Sequence, residues 1–113
     1  MTWKDLYSLQ ITKELILNYL KEADDLISKG EVVQACEKYY KAAEDFIKYL
    51  SKANIRRWDS RALFKESKKF PCVRDLWRSA WKLHVDCFHN YLMDENEIMI
   101  LISDVRKIRD LIR

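Results

Sequence analysis

The chain has 113 residues, nearly half of them apolar and about a third charged, with a formal net charge of +3. That is enough for one domain with a real core and too little for a second. A single glycine and a single proline exclude turn-rich β folds and glycine-loop nucleotide-binding folds, which leaves long helices with few interruptions.

Charge is unevenly spread. Between Arg56 and Lys82 nine Lys/Arg face three acids, a local +6 against −3 for the remainder. Such a basic belt points to an anionic partner or simply to a solvated face, and both readings stand at this stage. Three cysteines, Cys36, Cys72 and Cys87, lack metal-knuckle spacing and are odd in number, so neither a zinc site nor a disulfide framework is expected. No leader precedes Thr2 and no apolar run approaches the roughly 20 residues of a membrane span, so a cytoplasmic protein without a membrane partner is expected.

In chain order, Thr2 with Asp5 predicts a helix from Trp3 whose apolar positions (Leu6, Leu9, Leu15, Ile16, Tyr19, Leu20, Ala23, Leu26 and Ile27) form one stripe. A weak phase shift falls at Gln10 to Thr12. Gly30 ends the helix as a left-handed C-cap. The pattern restarts at Val32 and runs through Ala35, Cys36, Tyr39, Tyr40, Ala43, Phe46, Ile47 and Leu50, so the two helices fold back as an antiparallel hairpin in which small residues allow close approach. Neighbouring tyrosines cannot share one face, which sends one of them to a partner or to water.

Past Asn54, Asp59 or Ser60 caps a short helix to about Lys68, and Pro71 presets the next one. That central helix, Val73 to Leu92, carries Leu76, Trp77, Ala80, Trp81, Leu83, His84, Cys87, Phe88 and Tyr91 on one broad face. Arg74, Asp75, Arg78, Lys82, Asp86 and His89 occupy the other. An acidic run from Asp94 opens a final helix with apolar positions from Ile98 to Ile112 and cations in its last turns. The fold expected is therefore all-α, an antiparallel up-down bundle of four long helices plus one short one, forming a single domain over residues 1–113 without internal repeats.

The hairpin YLKEADDLISKGEVVQACEKYYKAAEDFIKYL and the segment LHVDCFHNYL, together about two thirds of the chain, resemble the archaeal PaREP-type family, which belongs with the HEPN-like bundles. The resemblance implies a homodimer, and many HEPN proteins are metal-independent ribonucleases of toxin or defence type, paired with a nucleotidyltransferase-type antitoxin. Their active site is an arginine followed four to six residues on by a histidine, joined to the same pair of a second protomer. In RSAWKLH, Arg78 and His84 have that spacing, with Ser79 in the place of the polar residue that often follows the arginine. The chemistry needs no metal, because RNA supplies its own 2′-hydroxyl nucleophile while an imidazole moves a proton and a guanidinium stabilises the phosphate. Arg74, Lys82, His89, Arg61 and Lys65 are then the RNA-binding candidates.

On a regular helix Arg78 and His84 stand about 120° apart, and a histidine amid apolar residues is ordinarily a core or interface residue with one satisfied hydrogen bond. His84, Cys87 and His89 do not converge on a regular helix, so no metal and no cofactor are expected. Two functions remain open: an RNA-binding or RNA-cleaving protein acting through Arg78 and His84, or a non-catalytic dimeric helical adaptor for another protein.

Overall fold

A computed structural model describes residues 11–51, 60–90 and 93–112, with only the backbone of Ser60 and Pro71. All regular structure among these residues is helical: α1 (Lys13–Ser28), α2 (Val32–Ser51), α3 (Ser60–Ser67), α4 (Pro71–Lys82) continued by a π-helical turn (Leu83–His89), α5 (Glu95–Arg106) and α6 (Ile108–Leu111). The predicted start at Trp3, with its cap at Thr2, lies outside the described residues, as do Asp59 and Tyr91. The predicted phase shift ends at a helix start: Thr12 is extended, and its Oγ1 accepts from the Leu15 N–H at 3.2 Å.

Gly30 ends α1 as expected, with φ at +79°. The N–H of Gly30 donates to Ile27 and that of Glu31 to Leu26, at 3.0 and 2.9 Å, which satisfies two carbonyls left over at the helix end. Three residues then turn the chain back on itself. Pro71 opens α4 behind an extended Phe70, and Asp94 caps α5 by accepting from the Glu97 N–H at 2.9 Å. The last helix is not continuous as predicted, because the chain turns at Lys107 between α5 and α6.

Helix α2 lies at the centre, packed against α1, α3, α4, the π turn and α5. This position corrects the expectation for its tyrosines, since both are buried. Tyr39 faces α1, where its hydroxyl bonds to Asp24, while Tyr40 packs on the rings of Trp77 and Trp81 in α4. Because α2 is covered on two sides, neighbouring rings are buried on different faces, while its solvent face carries Gln34 and Lys41. Trp77 is fully buried, whereas Trp81 and Phe88 cover the edge of the core.

Asp24 ties three elements together. Its carboxylate accepts from the Tyr39 hydroxyl, from Arg106 Nε at 3.0 Å and from Arg109, so two of the cations predicted to serve the end of the last helix, Arg106 and Arg109, bind α1 instead. Burial opposes the charge on Asp24, but the hydrogen bonds from Tyr39 and Arg109 and the fields of both arginines outweigh it and hold the carboxyl below its usual value. A carboxyl depressed in this way contributes stability above its unfolded pKa of about 4 and loses it as pH falls through the lower folded value. Asp24→Asn is therefore expected to flatten the acid limb. Thermal melts from about pH 5 down to about pH 2 should decline more steeply for the wild type than for the variant, and parallel declines would contradict this role.

Candidate active site

The structure places the predicted site residues in two groups. Arg74, Arg78 and Lys82 are exposed on α4, and Arg61 and Lys65 on α3. No hydrogen bond or ion pair among the described residues joins Arg78 to His84. Ser79 is turned away from both, buried and donating its hydroxyl to Asp104 of α5 at 2.8 Å. The basic residues are thus solvent-exposed, and the hydrogen-bonded side chains lie around His84.

His84 sits in the π turn. There the Asn90 N–H reaches back five residues to the Val85 carbonyl at 3.1 Å, so residues five apart are brought into one register. This overturns the helical-wheel expectation that His84 and His89 lie on opposite faces: their Nε2 atoms are 3.2 Å apart. His84 Nδ1 is 2.9 Å from Glu37 Oε2, and both side chains remain partly accessible, at 19% and 26%. Since an ionised carboxylate only accepts, His84 donates through Nδ1, and one proton between the two Nε2 atoms completes a chain from Glu37 through His84 to His89.

The ring of His84 is further fixed by stacking on Tyr40, at 4.0 Å between centroids and 16° between planes. Trp81 and Phe88 stand at 5.5 and 6.1 Å. Burial, then the charge of Glu44 and a hydrogen bond to it, then the charge of Glu37, push the Tyr40 hydroxyl above its usual pKa, so it stays a neutral stacking partner. Glu44 is also paired with Lys48 at 3.0 Å. Glu37 and Tyr40, three positions apart on one face of α2, thus form the wall behind His84, and Glu44 backs Tyr40 from the next turn.

A cross-link fixes that wall to the turn. Cys36 and Cys87, both fully buried, form a disulfide with Cα atoms 6.3 Å apart. This corrects the expectation of unpaired cysteines, and only Cys72 is a free thiol. Cys36 precedes Glu37, and Cys87 lies between His84 and His89, so the bond joins the two halves of the site.

These features define a class: an all-helical protein with a carboxylate–histidine–histidine chain at a disulfide-anchored π turn. The chain belongs to the archaeal PaREP1/PaREP8 family, whose model matches residues 11–109. It is similar to a Sulfolobus solfataricus protein of known crystal structure, with a TM-score of 0.77 and 43% identity over 85% of this chain and 91% of that one. A solution structure of the same structural-genomics target matches with a TM-score of 0.69 and 41% identity, covering 85% of this chain and 86% of the other. No curated protein matches the chain. No helix among the described residues is long and apolar enough to cross a membrane.

Proposed function

We propose that the protein cleaves single-stranded RNA without a metal, with His84 and His89 as the proton-transfer pair. The reading takes the helices as a HEPN-like up-down bundle that dimerises, with an antitoxin-like protein as a further partner. The observation that carries it is the hydrogen-bonded chain from Glu37 to His84 to His89. When the pair carries one positive charge, the ring with a free Nε2 is a base and the imidazolium beside it an acid, as phosphodiester cleavage requires.

The base takes the proton of the 2′-hydroxyl, whose oxygen attacks the neighbouring phosphorus. The acid protonates the departing 5′-oxygen. The products are a 2′,3′-cyclic phosphate and a 5′-hydroxyl end. Exposed His89 swings aside to admit the phosphate between the rings, while Glu37 orients His84. Arg78, Arg74 and Lys82 supply positive charge along the same helix, and Arg61 and Lys65 extend it onto α3.

The test is incubation of labelled single-stranded RNA with protein in EDTA. Wild type is expected to leave cyclic-phosphate ends. His89→Ala, at an exposed position, should lower the rate by about 10²–10⁴-fold at an unchanged melting temperature. No cleavage by wild type, or full activity in His89→Ala, would hand the decision to the adaptor reading, for which the exposed apolar residues Met99 and Ile100 on α5 offer a surface.

A further inference from the structure

We propose that His84 and His89 also form a binding site for a first-row divalent cation of borderline softness, with Zn²⁺ as the representative ion. The inference goes beyond the reading above, although it uses the same two rings. Two imidazole nitrogens that bind one tetrahedral zinc at about 2.0–2.1 Å lie about 3.3 Å from each other. The observed separation of the two Nε2 atoms is 3.2 Å. The turn therefore holds the two nitrogens at the bite of a metal, and an ion can replace the shared proton once the ring of exposed His89, edge-on to His84 at 4.4 Å between centroids, turns toward it.

A second observation concerns which nitrogen is available. Glu37 engages Nδ1 of His84 at 2.9 Å and so fixes the tautomer whose lone pair is on Nε2, facing His89. A carboxylate behind a ligating histidine is the usual outer support of such sites, where it orients the ring and raises its basicity. The stacked Tyr40 ring removes the remaining freedom of His84. His89 is exposed and has no other hydrogen-bond partner among the described residues, so its ring can adjust to the ion.

Among the described residues no third His, Cys, Asp or Glu joins the pair. The remaining coordination positions are thus open to water or to an anionic ligand such as a phosphate oxygen. Two neutral imidazoles favour zinc, copper or nickel over magnesium and calcium, which prefer oxygen ligands. Because the ion occupies both lone pairs, zinc is expected to suppress any reaction in which the same nitrogens carry protons.

Isothermal titration of the tag-free protein with ZnCl₂ tests the site. The protein is used with its disulfide intact, without thiol reductant and in a Cys72→Ser background, so that the free thiol takes no zinc. Saturable binding of one ion per chain is expected. His89→Ala should abolish it, Glu37→Gln should weaken it about 10–100-fold, and MgCl₂ should give no comparable binding. Absence of zinc binding by the parent protein, or binding unchanged by His89→Ala, would overturn the proposal. Since the readout involves no RNA, its failure and that of the cleavage reading are separate results.

Discussion

Replacing both Cys36 and Cys87 by alanine is expected to lower stability by about 4 kcal/mol, the chain entropy released when a cross-link over this length of chain is lost. The two residues are 51 apart in sequence, so the bond restricts nearly half of the unfolded chain. For a domain of this size the loss corresponds to a fall in melting temperature on the order of 20 °C. Melts of the oxidised protein and the double variant measure it directly. A fall of only a few degrees would show that packing of α2 on α4, and not the cross-link, holds the two sides of the site together.

Trp77→Ala is the point substitution with the largest expected cost, about 3–5 kcal/mol, because a fully buried indole leaves a cavity that rigid neighbours cannot fill. Tyr40 and Phe64 lie 5.5 and 5.6 Å from its ring centre and Trp81 lies 6.3 Å away, so three elements lose their common contact. Trp81→Ala should cost less, since Trp81 is only partly buried. Denaturant titration of both variants distinguishes these roles. Equal losses would mean that the core is centred on the edge of α4 instead.

The helical class, the Gly30 turn, Pro71 at the head of α4 and the opening of the last helix at the acidic run from Asp94 were all legible in the sequence, because each depends on local spacing and backbone preference. The site was legible only in part. His84 stood out among apolar residues, yet its partner Glu37 is an acid on a distant amphipathic helix, 47 positions away in sequence, with nothing local to mark it. The π turn defeated the 100° wheel: His84 and His89 fall on different faces of a regular helix and meet only when the register widens. The disulfide was hidden for a similar reason, since parity and close spacing say nothing about two buried cysteines on helices that pack side by side. Tyr39 and Tyr40 were misplaced because periodicity assigns one buried face to a helix, and α2 has two.

The most direct measurement is the protonation and coupling of the histidine ring nitrogens in ¹⁵N-labelled protein, since the proposed cleavage and the proposed zinc site both rest on the chain from Glu37 to His89. The account predicts that His84 is protonated at Nδ1 and that a scalar coupling passes through the hydrogen bond between the two Nε2 atoms. The coupling should vanish in His89→Ala, while Glu37→Gln should release the His84 tautomer. A His84 ring protonated at Nε2 alone, with no coupling to His89 and no response to Glu37→Gln, would contradict the account.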